Sequence, residues 1–216
     1  MSDRDRNTGR FGRVILAAGQ AARMGQPKAL LPLGERNVME LVFEAGAAVA
    51  EVSVVVVNPA LADVMDSFLP VREGCVELVV NADPDSEQLD SLQLGLERLG
   101  ALTQGKAEGF FIHPVDYPLV TEADYRALAE AAVSARGQGA DIFQPIHGDR
   151  HGHPILCRSA LADRFLELEE GKTARDVVRS SRVEYVPSTN RGVLEDLDTP
   201  EDYSRLLETP GGGDQA

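Results

Sequence analysis

Cysteine is scarce in this chain, which carries only Cys75 and Cys157 among its 216 residues. Two isolated cysteines exclude a disulfide framework and offer no zinc-binding spacing. No apolar run reaches the length of a membrane span, and the polar residues 1–10 lack the apolar core of a signal peptide. These shortages predict a cytoplasmic protein that makes no contact with a membrane.

Positive charge is the second shortage, because 21 lysines and arginines stand against 35 acidic residues and give a net charge of −14. An acidic surface repels the phosphates of nucleic acid, so we expect no nucleic-acid partner. A small phosphorylated ligand is not excluded, since salt screens surface charge beyond roughly 8 Å and a local cationic site can act alone. Only three lysines are present, and one of them, Lys28, lies in a glycine-containing loop.

Apolar strands and amphipathic helices alternate along the chain. The β-branched run 52–57 is typical of a central buried strand, and leucines at helical spacing predict a helix over 87–99. The other predicted strands are 14–18, 76–80, 109–113, 141–144, 153–157 and 183–186, and the other predicted helices are 37–50, 60–69, one starting at Thr121, 160–168, 173–180 and 200–207. The alternation predicts one α/β domain, residues 11–208, built as a Rossmann-like three-layer sandwich with a mostly parallel sheet, and disordered tails at 1–10 and 209–216.

A glycine-punctuated loop follows the first predicted strand. Gly19 and Gly25 let the backbone approach phosphate oxygens, and Arg23 and Lys28 can neutralise their charge. The spacing matches neither the Walker A loop nor the dinucleotide-binding Gly-x-Gly-x-x-Gly. A redox Rossmann domain is disfavoured as well, because the second predicted strand ends in Asn58-Pro59 instead of an acidic residue.

The loop has the pattern Leu-Ala-Ala-Gly-x-x-x-Arg-Met-Gly-x-x-Lys over residues 16–28. It resembles the signature of the nucleotidyltransferases of the pyrophosphorylase superfamily. The resemblance implies a bound nucleoside triphosphate, with Arg23 and Lys28 as catalytic cations. One departure is Ala21, where many members have serine or glycine. The nucleotide-binding residues implied in this loop are Leu16, Ala17, Ala18, Gly19, Arg23, Gly25 and Lys28.

Two aspartates are candidate metal ligands. Asp116 follows a predicted buried strand and lies near a phosphate-suited loop, where a carboxylate can hold Mg²⁺. Its surroundings resemble the family's Asp-x-Pro metal site, which more often reads Gly-Asp-Gln-Pro, whereas Val115 and Tyr117 flank the aspartate here. Asp198 belongs to Asp-Leu-Asp-Thr-Pro-Glu-Asp, which resembles the family's closing motif and implies that it completes a Mg²⁺ (or Mn²⁺) site with a catalytic Asp116. Alternatively Asp198 only stabilises a helix start, the role assigned to the acidic residues after it.

A further motif follows the third predicted strand. Asn81 and the run Ser-Leu-x-x-Gly-Leu over 91–96 resemble family residues that contact base and ribose, which implies nucleotide binding by Asn81 and Ser91. Gln88-Leu89 replaces the Gly-Met of the family. An amphipathic helix explains the leucines but not Gly95, because glycine costs about 1 kcal/mol relative to alanine in a helix interior.

Three histidines, His147, His151 and His153, lie in one short polar segment. We disfavour a zinc site, because no fourth ligand has a matching spacing. The ending Arg-His-Gly-His-Pro resembles the Arg-Gly-His-Pro turn of the molybdenum cofactor cytidylyltransferase branch, with His151 inserted. The resemblance implies that His153 binds the acceptor, whereas we expect His147 and His151 to face solvent.

The resemblance as a whole implies transfer of a nucleoside monophosphate from CTP to molybdopterin or its molybdenum form, with release of pyrophosphate. Guanylyl transfer from GTP is the second alternative, and another small phosphorylated acceptor is the third. A non-catalytic nucleotide-binding module, acting as a sensor or as a partner of a molybdoenzyme maturation protein, is the alternative from a different class. Arg23, Lys28, Asp116 and Asp198 favour the enzyme, because a simple binder needs no second carboxylate.

Overall fold

The elements of the molecule follow the predicted alternation. A computed structural model describes residues 10–19, 26–65, 69, 75–137, 139–169 and 171–208. The strands in these ranges are β1 (Phe11–Ala17), β2 (Pro32–Leu33), β3 (Arg36–Asn37), β4 (Val52–Val57), β5 (Val76–Val80), β6 (Gly109–Pro114), β7 (Ile142–His147), β8 (Arg150–His151), β9 (Ile155–Arg158) and β10 (Val183–Pro187). The helices there are α1 (Val38–Ala47), α2 (Pro59–Met65), α3 (Gln88–Thr103), α4 (Glu122–Ser134), α5 (Ala162–Leu166), α6 (Ala174–Arg179) and α7 (Pro200–Glu208), with 3-10 turns at Lys28–Leu30, Ser159–Leu161 and Arg191–Leu194.

One large sheet organises the domain in the order β10-β7-β9-β6-β1-β4-β5, with β8 paired to β7, while β2 and β3 form a separate hairpin. Strands β5, β4, β1 and β6 are parallel to one another. Strand β9 runs antiparallel to both β6 and β7, and β10 is parallel to β7. The sheet is therefore mostly parallel, as predicted.

Helices cover both faces of the sheet, which confirms the three-layer architecture. On one face Val14 of β1 packs in a cluster with Leu96 of α3. On the other face Ile15 packs with Val42 of α1, and α4 lies against α1 through a cluster that includes Leu128. No helix in the described ranges is both long and apolar enough to cross a membrane.

Gly95 lets α3 approach the sheet closely. A Cβ atom at this position would lie 2.5 Å from Cγ1 of Val14 and 3.0 Å from Cγ2 of Val56. Real Cβ contacts are almost never that short, so any side chain here would push the helix away from β1 and β4. This packing explains the glycine in the middle of a helix.

The strand register brings four strand ends to one edge of the sheet. Ala17 pairs with Val57, Val57 pairs with Val80, and Leu16 pairs with Pro114. The loops after β1, β4, β5 and β6 therefore leave the sheet side by side. That edge is the usual ligand site of an open α/β sheet.

Two predicted helix starts are confirmed by their hydrogen bonds. The Thr121 N–H donates to Oδ2 of Asp124 at 2.9 Å, which begins α4 with a capping box. The Thr199 N–H donates to Oδ2 of Asp202 at 2.9 Å, ahead of α7. In both cases a carboxylate satisfies a backbone donor near the helix start.

The structure differs from the sequence prediction in several places. The strand predicted over 153–157 begins at Ile155, because Pro154 has no N–H to give to the sheet. The two-residue strands β2, β3 and β8 are too short to leave a periodic pattern. Of the helix predicted over 60–69, the structure describes Pro59–Met65 as α2, whereas residues 66–68 and Pro70 lie outside the described residues. Residues 1–9 and 209–216 also lie outside them, so the tails and the domain limits remain predictions.

Candidate active site

A cavity of about 480 Å³ opens at the carboxyl edge of β1, β4, β5 and β6. The nucleotide-binding candidates that the structure describes all line it: Leu16, Ala17, Ala18, Gly19, Lys28, Asn81 and Ser91. Asp116 lines the same cavity. Arg23 and Gly25, together with Ala21, lie outside the described residues.

Gly19 leaves room in this cavity. A Cβ atom built on it meets no atom of the described residues within 4 Å. The missing side chain therefore lies on the side of open space, where a ligand oxygen could approach the backbone. Asn58, after β4, steadies the start of the same loop by donating from its side-chain amide to the Ala18 carbonyl at 3.4 Å.

Lys28 and Asp116 line the cavity, and Asp198 lies close to both of them. The Lys28 Nζ atom lies 2.5 Å from Oδ1 of Asp198. The N–H of Leu197 donates to the backbone oxygen of Asp116 at 2.8 Å, which fixes the segment before α7 against the turn after β6. The two candidate metal ligands are thus neighbours, although they are far apart in the sequence.

Asp116 is the most perturbed acid of the site. Burial raises its pKa from 3.8 to about 6, the positive charge of Lys28 opposes the rise, and the negative charges of Asp198 and Asp196 add to it. Its Oδ1 atom is buried and has no hydrogen-bond partner among the described residues. An unpaired buried carboxylate oxygen is costly unless it receives a cation or a donor, which marks this atom as a candidate ligand position.

Asp198 and Asp202 have different roles, as the sequence predicted for Asp202. The Asp202 carboxylate accepts from the N–H groups of Asp198 and Thr199 at 3.2 and 2.9 Å. It therefore serves the helix start. The Asp198 carboxylate instead faces Lys28, and its side chain is 47% exposed, so it is accessible from the site.

Asn81 and Ser91 are buried side chains that bind one another. The side-chain amide of Asn81 donates to the hydroxyls of Ser86 and Ser91, each at 2.9 Å. Its Oδ1 atom accepts from the Asp83 N–H at 3.2 Å. Both residues border the cavity, but these hydrogen bonds shape the loop between β5 and α3. A nucleotide contact by Asn81 or Ser91 remains a prediction.

His153 lies at the same edge of the sheet, against the residue that follows Asp116. Strand β9 runs antiparallel to β6, with Ile155 opposite Ile112, so the turn before β9 lies at the same edge as the end of β6. The rings of His153 and Tyr117 are 4.5 Å apart at an interplanar angle of 44°. The backbone N–H of His153 donates to the Val193 carbonyl at 2.9 Å.

The His153 ring is held as a neutral group. Burial lowers its pKa from 6.5 to about 4, and the positive charge of Arg175 lowers it further. Its Nδ1 atom is buried and lacks a hydrogen-bond partner among the described residues. Such an atom is available to a ligand that can donate or accept a hydrogen bond.

The other two histidines of the segment do not join His153. His151 is exposed, as predicted, and stacks on Tyr185 with ring centroids 4.2 Å apart. His147 is half-buried rather than solvent-facing, because its Nδ1 atom pairs with the Ser188 carbonyl at 3.0 Å. Within the described ranges, no cluster of three histidine, cysteine or acidic side chains is arranged to hold a metal ion.

Sequence reasoning missed three residues of the site. Asp196 and Arg175 act on the Tyr117 hydroxyl: burial raises the pKa of Tyr117 to about 12, the charges of Asp116, Asp196 and Asp198 add to the rise, and Arg175 opposes it. His113, fully buried at the end of β6, is the third. Its only signal is a histidine inside an apolar strand.

The fold and this edge of the sheet together define a class, the enzymes that transfer nucleotidyl groups. The profile of the MobA-like NTP transferase domain matches residues 13–186, and the chain belongs to that family. The family assigns it nucleotidyl-transfer activity, so a purely non-catalytic module is set aside.

Several characterised or solved proteins resemble the chain at low identity. The molybdenum cofactor cytidylyltransferase of Escherichia coli (strain K12) is 22% identical over 195 residues, which cover 90% of this chain and 94% of that protein. Rv0371c of Mycobacterium tuberculosis H37Rv, solved in complex with manganese, is 22% identical with a TM-score of 0.68, covering 94% of this chain and 100% of that one. A nucleotidyl transferase from Methanothermobacter is also 22% identical, with a TM-score of 0.72 and coverages of 92% and 96%. At these identities the two solved structures show a shared fold.

Proposed function

We propose that this enzyme transfers the nucleoside monophosphate of CTP to a phosphate monoester, molybdopterin or its molybdenum form, and releases pyrophosphate. The observation that carries the proposal is the grouping of Lys28, Asp116 and Asp198 beside one cavity at the carboxyl edge. Nucleotidyl transfer depends on positioning and charge more than on a covalent nucleophile, and this group supplies both. The similarity to a molybdenum cofactor cytidylyltransferase over nearly the whole chain supports the choice of nucleotide and acceptor.

The nucleotide would lie along the loop after β1. Its base would lie near Ala17, Ala18 and Ser91, and its phosphates would pass Gly19 toward Lys28. The cavity has the size of small-molecule sites in general and lies at the edge where α/β sheets bind ligands.

The residues at Asp116 and Asp198 fit a divalent cation. Asp116 offers a buried oxygen with no partner in the described residues, and the Leu197–Asp116 backbone hydrogen bond keeps Asp198 close to it. Mg²⁺ typically binds through one or two carboxylates together with substrate phosphates, so a pair of aspartates is sufficient. When bound, the ion supplies Lewis-acid polarisation of phosphate oxygens. A solved relative in complex with manganese supports a divalent ion, and we expect Mg²⁺ or Mn²⁺.

The proposed reaction is an in-line displacement at the α-phosphorus. An oxygen of the acceptor phosphate forms a bond to that phosphorus, and the bond from the phosphorus to the bridging oxygen of the β-phosphate breaks. Pyrophosphate leaves with the electron pair, and an ionised phosphate monoester has no proton to lose. Lys28 stabilises the charge that grows on pyrophosphate, and we assign the same role to Arg23.

The acceptor would lie between Asp116 and His153. The Tyr117 and His153 rings provide a neutral aromatic surface beside the acidic group. Such a surface suits a planar heterocycle, because aromatic rings pack on one another in offset or tilted geometry. A phosphorylated sugar or polyol has no ring of this kind, so the aromatic pair favours the pterin acceptor over those alternatives.

The test is acceptor-dependent pyrophosphate release with Mg²⁺, molybdopterin and either CTP, GTP, ATP or UTP, with the product mass determined in each reaction. We expect release to require molybdopterin and to be fastest with CTP. A clear preference for GTP would replace cytidylyl transfer by guanylyl transfer. Release with a phosphosugar or polyol phosphate alone would overturn the acceptor, and no release with any acceptor would overturn the proposal.

A further inference from the structure

His113 connects the interior of the domain to the turn that carries Asp116. It is fully buried at the end of β6. Its Nε2 atom lies 3.0 Å from the backbone oxygen of Tyr117, and its Nδ1 atom lies 2.7 Å from the hydroxyl of Tyr125 in α4. The ring therefore joins a helix, a strand and the site turn.

The two hydrogen bonds of His113 have a definite direction. The Tyr117 carbonyl can only accept, so Nε2 carries the proton and donates it. Burial lowers the pKa of His113 to about 3, so the ring is neutral and Nδ1 bears no proton. The Tyr125 hydroxyl consequently donates to Nδ1, which fixes the tautomer that holds the Tyr117 carbonyl.

Arg13 lies next to Tyr125, on the side of the interior, and helps to keep the His113 ring neutral. It is fully buried in β1, and no carboxylate pairs with it in the described part of the chain. Its guanidinium donates to the Val42 and Phe43 carbonyls at 3.2 and 2.8 Å and lies 5.7 Å from the centroid of the Tyr125 ring. A fixed positive charge next to Tyr125 opposes a second proton on His113, because two buried cations would repel each other.

The Tyr117 ring is the part of this network that reaches the site. It packs on His153 at 4.5 Å, on the side of Asp116 where the acceptor would bind. The backbone at Tyr117 has two supports: its carbonyl accepts from His113, and its N–H donates to the Pro114 carbonyl at 3.2 Å. Release of the carbonyl would let the ring leave His153 without unfolding the sheet.

We infer that His113 is a positioning residue for the acceptor: through the Tyr117 carbonyl, it holds the Tyr117 ring against His153. The inference rests on the proposed function, because that function supplies the acceptor. The arrangement of the Tyr117 and His153 rings can be measured without any substrate. His113 does not touch the reacting atoms and acts only through Tyr117.

Two substitutions separate the two hydrogen bonds of the ring. His113→Gln places an amide nitrogen near the position of Nε2 and can still donate to the Tyr117 carbonyl. His113→Asn places its amide near Nδ1, so it retains a partner for Tyr125 and loses the bond to Tyr117. His147→Ala is the matched control, because it removes another histidine-to-carbonyl hydrogen bond, that to Ser188, on the far side of the segment.

The first readout is the imidazole NMR spectrum of the substrate-free protein. The chain has four histidines, so each ring can be assigned by single substitution. We expect His113→Asn to shift the His153 ring signals, because the ring current of Tyr117 moves away, and to leave those of His151 in place. Unchanged His153 signals in His113→Asn would overturn the inference, even if the enzyme had no transfer activity with any acceptor.

The second readout is the separation of KM from kcat. We expect His113→Asn to raise the KM for the acceptor about tenfold, to leave the KM for the nucleotide unchanged, and to be rescued largely by His113→Gln. His147→Ala should leave both KM values unchanged. A parallel loss of stability and of every kinetic parameter in both His113 variants would mean a purely structural role and would overturn the inference. Wild-type enzyme that is inactive with all acceptors would overturn the proposed function instead.

Discussion

The two sides of the candidate active site are built differently. On the nucleotide side, short segments leave adjacent parallel strands, and backbone, Gly19 and Lys28 line an open cavity. On the proposed acceptor side, Tyr117 and His153 come from separate parts of the chain, their rings pack on each other, and the backbone of each makes a hydrogen bond that helps to hold it. The difference suits the proposed ligands, because phosphates are bound by cations and amide groups, whereas a ring needs a surface in a fixed orientation.

Loss of the lysine on the nucleotide side should have the largest effect. We expect Lys28→Met to lower kcat by about 10²–10³, because a preorganised charge on the leaving pyrophosphate is lost. Steady-state kinetics with saturating acceptor would measure it. Lys106→Met is the matched control, since Lys106 is exposed and pairs with Gln104 away from the cavity. Near-full turnover in folded Lys28→Met would remove Lys28 from the chemistry.

Asp116 belongs to the proposed metal site. Its substitution should lower the transfer activity but raise the stability of the metal-free protein. Its pKa is raised from 3.8 unfolded to about 6 folded, so the folded protein binds a proton that the unfolded chain releases within this window. Stability of the metal-free protein therefore falls as pH rises from about 4 to 6, and the penalty is complete above pH 6. We expect Asp116→Asn to lower transfer activity and to gain about 3 kcal/mol of unfolding free energy at pH 7, but less than about 1 kcal/mol at pH 4.

Urea unfolding in the presence of a chelator, at several pH values, would measure this gain. The exposed Asp149 provides the control variant Asp149→Asn, for which we expect no pH-dependent gain. A gain for Asp116→Asn that is equal at pH 4 and pH 7 would contradict the buried charge as its cause.

Gly95 tests how far the nucleotide side depends on close helix packing. We expect Gly95→Ala to lower the free energy of unfolding by about 1–3 kcal/mol, because the new methyl group overlaps Val14 and Val56. Gly100→Ala in the same helix meets no atom within 4 Å and should raise it by about 0.5–1 kcal/mol. Thermal or urea unfolding would measure the change in unfolding free energy for both variants. Equal changes for the two substitutions would refute the packing argument.

Substitutions of His153 and His151 should have the smallest effects on activity. They distinguish most clearly between binding of the acceptor and binding of the nucleotide. We expect His153→Ala to raise the KM for the acceptor about tenfold, which corresponds to about 1.4 kcal/mol, with an unchanged KM for the nucleotide. His151→Ala should change neither value, because His151 is exposed and packs on Tyr185. If His153→Ala raised the KM for the nucleotide instead, the division of the site into two sides would be wrong.

Much of the nucleotide side could be predicted from the sequence. Each of Gly19, Asn81 and Asp116 comes shortly after a predicted strand, and parallel strands deliver their carboxyl ends to one edge. Proximity in space then follows from the strand pattern alone. The strand pattern does not predict the hydrogen-bond partner of each polar group. The Asn81 amide, for example, donates to Ser86 in its own loop and to Ser91 at the start of α3.

The acceptor side could be predicted only in part. His153 was a candidate from a local motif, but its contact with Tyr117 depends on β9 running against its neighbours, and no periodicity in a sequence records strand direction. The signal of His113, a histidine inside an apolar strand, does not show what the ring contacts. Its role depends on Tyr125 and Tyr117, which lie in different elements and share no pattern with it.

The reversed strand β9 brings only His153, one of the two rings of the proposed acceptor side, to the carboxyl edge, because Tyr117 follows β6. The hairpin of β7 and β8 enters β9 from the carboxyl edge, and it pairs with neither β1, β4 nor β5. Because the hairpin makes no pairing with those three strands, we expect that insertion or removal of residues in it leaves their register unchanged. If the proposed function is correct, we expect that grafting another hairpin between β7 and β9 changes which acceptor phosphate is used, while the same triphosphate is used.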